Sequence, residues 1–197
     1  MAKVQELSVV EIIQRRYGQA HEVLLKLVDG LPEGVATWHP EHGPQCIAWQ
    51  LWHVARWDDY LAEALIGRNH DIAGTREAAQ IWKQQGLAAK WGFDPERLGL
   101  AEAGTNTDAE QAASLQWLAF SDVVEYANAV FPRVEDAIGI LEDRYLTIKV
   151  PRPAGSEAQG EPGTYGENLL GWLEHVREHV GTIQALRGQA GLPGLDM

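Results

Sequence analysis

The stretch from Cys46 to Leu65 sets the tightest limit on what this chain can fold into. At helical spacing Ile47, Leu51, Val54, Leu61 and Leu65 fall on one side, and Trp49, His53, Trp57, Tyr60 and Ala64 on the adjoining side. A helix that is apolar over most of its circumference has to be buried on two sides, so other helices must surround it. Gly67 closes the stretch.

Three further segments supply the partners. Ser8 caps a helix predicted over residues 8 to 29, with Ile13, Tyr17, Ala20, Leu24 and Leu27 at spacings of three and four and Asp29-Gly30 as its stop. A second is predicted over 122 to 142, with Val123, Tyr126, Val130, Val134, Ile138 and Leu141 inward. Pro132 lies inside it and predicts a kink or break near Val130. The last is predicted over 165 to 187, because Thr164-Tyr165-Gly166-Glu167 matches a capping box and Leu169, Val176, Val180, Ile183 and Leu186 continue a stripe. The expected fold class is therefore all-α: an antiparallel four-helix bundle with helices near 8–29, 46–66, 122–142 and 165–187, forming one domain over 1–197.

The connections are unequal. Residues 68 to 120 form a long insertion between helices two and three, with short helices expected over Thr75–Gln85 and from the capping box at Thr107 to about Trp117. It is expected to fold back over one end of the bundle. Leu31 to Pro44 reads as an irregular crossing that leaves His39 and His42 facing solvent. The alternation from Tyr145 to Val150 is weakly strand-like, and Pro151 to Gly163 reads as a flexible loop.

Eight tryptophans imply a packed core together with an aromatic-walled cavity. With 28 acidic against 16 basic residues the formal charge is −12, which repels phosphate backbones and anionic lipid, so nucleic acid and membrane are not expected partners. No apolar run is long enough for a membrane span and no secretory signal opens the chain, which leads to an expectation of a cytoplasmic protein. The one cysteine, Cys46, is read as a small buried hydrophobe.

Chemistry enters with Trp172-Leu173-Glu174-His175-Val176-Arg177-Glu178-His179-Val180. Residues four apart share a helix face, so His175 and His179 present imidazoles close enough to share an ion, with His53 as the candidate third. A three-histidine metal site across two helices competes here with the plainer reading of core histidines satisfied by hydrogen bonds. The same string spells H-x-x-E-H, a metallopeptidase pattern, but no histidine follows His179 as a further ligand, and Glu178 reads as a solvated residue.

Ala48-Trp49-Gln50-Leu51-Trp52-His53-Val54-Ala55-Arg56 is similar to the W-x3-H segment of the DinB-like (DinB/YfiT-type) superfamily of metal-binding four-helix bundles. His175-x3-His179 with Gly181 and Leu186-Arg187-Gly188 resembles that family's fourth helix, and Ile81-Trp82-Lys83 with Trp91-Gly92-Phe93 its longer members. The resemblance implies metal ligands at His53, His175 and His179, a zinc, nickel or iron ion there, and use of a low-molecular-weight thiol such as mycothiol, bacillithiol or glutathione. The activity it implies is S-transfer to a small-molecule substrate, in the manner of thiol S-transferases or maleylpyruvate isomerases. The alternatives are a metal-dependent hydrolase and a non-catalytic metal- or ligand-binding bundle.

Three imidazoles leave a coordination position open, as in catalytic zinc sites. Carboxylates, carbonyls or water are expected at the outer ring nitrogens, with Asp58, Asp59 and Glu174 as the candidate carboxylates, and Arg56 or Arg144 for a substrate carboxylate. Some of Trp49, Trp57, Tyr60, Trp82, Trp91 and Trp172 are expected to wall the pocket, most of the tryptophans being core, and a homodimer is the expected assembly.

Overall fold

A computed structural model describes residues 6–41, 45–67, 79–105, 119–150 and 163–195. The capping box expected to open at Thr107, and residues 151–162 of the loop before the last helix, lie outside the described residues, as does His42. Seven α-helices are described: α1 (Val9–Val28), α2 (Glu33–Ala36), α3 (Ile47–Gly67), α4 (Ile81–Gln84), α5 (Leu87–Lys90), α6 (Phe120–Gly139) and α7 (Tyr165–Gln189).

The four long helices form a closed set of contacts, with α3 packed on α6 and α7, and α1 packed on the same two. One core cluster includes Leu24, Leu51, Trp52, Val130 and Ile183. The other includes Tyr17, Leu65, Val134 and Leu169. α3 runs through both, which is why Leu51, Trp52, Val54, Ala55 and even Arg56 and Asp59 are completely buried. The two-sided apolar pattern of the sequence thus becomes the central element of the fold.

Local chemistry fixes the helix ends. Ser8 Oγ accepts from Glu11 N (3.1 Å) while Glu11 Oε2 accepts from Ser8 N (2.7 Å), and the Asp143 carboxylate takes the next two free amides, Val9 N (3.0 Å) and Val10 N (2.9 Å). At α1's other end Gly30 takes a left-handed φ of 63°. Thr164 and Glu167 form the second capping box and start α7 where the sequence places it.

α6 departs from expectation at both ends. It begins at Phe120 rather than Asp122, because its first amide donates to both oxygens of Glu33 on α2 (3.0 and 2.9 Å), a cap no local sequence signal announces. It ends at Gly139 rather than Glu142, where Asp143 begins a 3-10 turn. The predicted break at Pro132 does not occur. Pro132 and Asn128, whose carbonyl loses its amide partner, are both exposed, so water can satisfy what the proline ring removes.

Tyr145 to Val150 is not a strand. Lys149 pairs with Thr164 in a single bridge, and no strand occurs among the described residues. Of the helix expected over Thr75–Gln85, residues 75–78 lie outside the described residues and Ile81–Gln84 is the helical part described. Cys46 is buried, as its size suggested. Among the described residues no helix is long and apolar enough to cross a membrane.

Candidate metal centre

His53 on α3 meets His175 and His179 on α7. His53 Nε2 lies 3.1 Å from His175 Nε2, and His179 Nε2 lies 3.0 Å from the same atom. One ligand atom from each of the three falls within 4.8 Å of the others. The outer ring nitrogens reveal which atoms are protonated. His53 Nδ1 is 2.5 Å from Ala103 O, and a carbonyl can only accept, so Nδ1 carries the proton. His179 Nδ1 is 2.5 Å from Gln50 Oε1, and the orientation of that amide is set by Gln50 Nε2 donating to Gln45 O at 3.1 Å.

Two bare Nε2 lone pairs therefore converge on a third imidazole nitrogen. Without a cation, His175 Nε2 can bring at most one proton to the two of them, so they have to share a single donor. With a cation, nitrogens at about 3.3 Å from each other suit bonds of roughly 2.0–2.1 Å to tetrahedral zinc, close to the 3.1 and 3.0 Å that separate His175 Nε2 from the other two. Burial lowers all three imidazoles: His53 to about 4, His179 to about 2 with further lowering by the neighbouring His53 and His175, and the less buried His175 in the same direction. All three are neutral at pH 7, the protonation state that ligates.

One side of the triad is open. His53 and His175 line a cavity of about 610 Å³ together with Trp49, Trp57, Thr105 and Trp172. Trp57 and Trp172 meet edge to face at 4.9 Å, and Trp57 Nε1 donates to Thr105 Oγ1 at 3.0 Å. Tyr60 stacks behind Trp172 at 6.3 Å and lines a smaller adjoining cavity. Gly104 closes the wall with a φ of 79°, and a Cβ there would come within 2.9 Å of Trp49 and 3.0 Å of Trp52.

Several expected roles fall elsewhere. Trp82 and Trp91 pack into the core around Tyr126 instead of facing the cavity, because the insertion turns its apolar side toward α3 and α6. Asp58 accepts from His21 Nε2 at 2.9 Å, and Asp59 caps α4 by accepting from Ile81 N and Trp82 N at 3.0 and 2.9 Å. Glu174 is exposed. None of these three carboxylates holds an outer nitrogen of the triad; Ala103 O and Gln50 Oε1 do so. Arg56 is committed to the fold and Arg144 pairs with Glu142 on the surface at 2.7 Å, so neither offers its guanidinium to the cavity. Glu178 is exposed and His39 half-buried in its loop.

His21 carries no motif that marks it in the sequence. Its Nδ1 donates to Glu135 Oε1 (2.7 Å) and its Nε2 to Asp58 Oδ2 (2.9 Å), while its ring stacks on Phe131 at 4.1 Å. The available signal was its place on α1's inner stripe, four residues after Tyr17 and three before Leu24.

The fold and site define an all-helical protein with a three-histidine cluster at the wall of an aromatic cavity. A model of the DinB superfamily matches residues 16–183. The chain belongs to that superfamily. No curated protein matches the sequence. Among solved structures it is similar to a conserved protein from Enterococcus faecalis at 17% identity and a TM-score of 0.69, covering 92% of this chain and 96% of that one. It is also similar to a protein from Streptococcus pneumoniae (12% identity, TM-score 0.57, 94% of each chain). A third likeness is to a protein from Clostridium difficile (14% identity, TM-score 0.54, 93% and 98% covered). At these identities the likeness is one of fold.

Proposed function

We propose that this chain is a single-domain antiparallel four-helix bundle with a long insertion, and that His53, His175 and His179 hold one divalent ion, zinc, nickel or iron, for a thiol-dependent S-transferase. The observation that carries this reading is the pair of bare Nε2 lone pairs, on His53 and His179, converging on His175 at the edge of the cavity. An ion held there supplies a Lewis-acidic position that keeps a small thiol as thiolate near neutral pH or, in the hydrolytic alternative, makes a bound water acidic.

The chain's own residues do the rest. Ala103 O and Gln50 Oε1 fix two imidazoles in the tautomer that ligates. Trp49, Trp57 and Trp172 exclude water from the volume where sulfur would bond to an electrophilic carbon as the leaving group departs with its electron pair. A cavity of about 610 Å³ reaching two of the three histidines favours a substrate-handling role over a sealed, non-catalytic metal store. The substrate in this reading is a small molecule, and two copies of the chain pair.

The test is to load the protein with cobalt(II) and titrate mycothiol, bacillithiol and glutathione while recording absorption. A thiolate-to-cobalt charge-transfer band with one of them supports S-transfer. A fully metallated protein that gives the band with none of them leaves the hydrolase and the binding module.

A further inference from the structure

Arg56 lies three residues after His53 on α3 and is completely buried. Its guanidinium is spread over the insertion: Nε donates to Glu102 O (3.1 Å), and Nη2 to Ala101 O (2.8 Å) and to Gln80 Oε1 (2.9 Å). Nη1 donates to Tyr126 Oη (3.0 Å) and to Asp59 Oδ2 (3.3 Å), which supplies the balancing charge. The group sits 4.8 Å from the Trp82 ring, and Trp82 Nε1 in turn donates to Glu102 Oε2 at 2.7 Å.

The backbone gripped in this way is unusual. Ala101 and Glu102 both have left-handed φ values, 56° and 54°, a conformation that a Cβ disfavours, in a turn closed by Ala103 N donating to Leu100 O (3.1 Å) and Leu100 N to Thr105 O (3.0 Å). The next carbonyl is Ala103 O, the acceptor for His53 Nδ1. Gly104 follows against Trp49, and then Thr105, which holds Trp57. A strained turn, pinned by a buried arginine, thus ends on the atom that sets the tautomer of one triad histidine and on the two residues that set the cavity wall.

We propose that Arg56 is a positioning residue for the triad: by clamping the Ala101–Glu102 turn it holds Ala103 O where His53 keeps its proton on Nδ1 and presents Nε2 to His175. The inference rests on the metal-site reading for its purpose, but its geometric content is independent of it. A buried arginine that merely ties the insertion to the bundle would contribute stability and leave the state of the His53 ring unchanged.

The experiment uses the 15N-labelled full chain, first metal-free. The histidine 15N shifts report the tautomer of His53, assigned by comparison with His53→Ala, in wild type, Arg56→Lys and Ala101→Pro. Lysine keeps the charge but cannot reach both carbonyls and Asp59 at once. Proline fixes a negative φ, which opens the turn and withdraws the Ala101 and Glu102 carbonyls from an Arg56 that is itself unchanged. Wild type is expected to show His53 protonated on Nδ1 alone, and both variants a mixture of tautomers. Cobalt(II) affinity is expected to fall about 10-fold or more in each variant. A folded Arg56→Lys protein with an unchanged His53 tautomer overturns the proposal, and should that variant fail to fold, Ala101→Pro tests the turn through which Arg56 acts. A folded Ala101→Pro protein with an unchanged His53 tautomer overturns the proposal. Wild type that takes up no cobalt would remove the metal reading, and the tautomer measurement would still decide the role of Arg56.

Discussion

Trp49 lies flat on His53, with ring centroids 4.5 Å apart and planes within 14°. The indole leaves the imidazole little rotational freedom and forms the cavity wall beside it, so what moves Trp49 also moves the triad. Gly104 presses on the same indole. Gly104→Ala would add a Cβ within 2.9 Å of it at a φ of 79°. The expected cost is about 1–3 kcal/mol of unfolding free energy, as for other overpacked sites, with quenched or shifted tryptophan emission. Denaturant melts of the variant and wild type check this.

Gln50 is the only described partner of His179 Nδ1. Gln50→Leu conserves bulk and removes the acceptor. Loss of such an outer partner typically lowers metal affinity about 10- to 100-fold. Competition against a chelator of known affinity measures it, and an unchanged constant would show that Gln50 does not orient the ring.

His21 predicts a pH dependence remote from the triad. Burial alone would lower its pKa, but the hydrogen bonds and charges of Asp58 on α3 and Glu135 on α6 outweigh burial and raise it to about 9. Tyr17, on its own helix, is the other titratable ring beside it, and burial raises that pKa beyond the working range. Folding therefore favours the protonated His21. Its contribution is fully present below the unfolded value of about 6.5 and is lost as pH rises through about 9. The loss should be on the order of 3 kcal/mol between pH 6 and pH 10. Urea melts across that range should show the decline in wild type and a flatter profile in His21→Gln.

Most of what sits on one helix was legible in the sequence. The capping box at Thr164 and Glu167 marks where α7 starts, and the two-sided apolar face of α3 implies helices around it. The pairing of His175 with His179 follows from helical spacing alone. What reaches across the fold was not legible. Glu33 caps α6 from 87 residues away, and Ala103 holds His53 through a backbone carbonyl that leaves no mark on residue identity. Asp58 and Asp59 lie near His53 along the chain, yet the helical turn points them at His21 and at α4. Which tryptophans wall the cavity and which, like Trp82 and Trp91, are core was not legible for a related reason: composition shows that they need burial but not which side of α3 provides it.

If His53, His175 and His179 together bind one ion, removing any one of them removes the ion, and metal stoichiometry reads this out. Metal-free protein titrated with zinc or cobalt(II) by calorimetry should saturate at about one ion per chain, with bound metal confirmed by elemental analysis. His53→Ala, His175→Ala and His179→Ala should each lose that binding while remaining folded by circular dichroism. Uptake of one ion that survives each of the three substitutions, or no uptake by the wild-type chain, would rule out a shared three-histidine site.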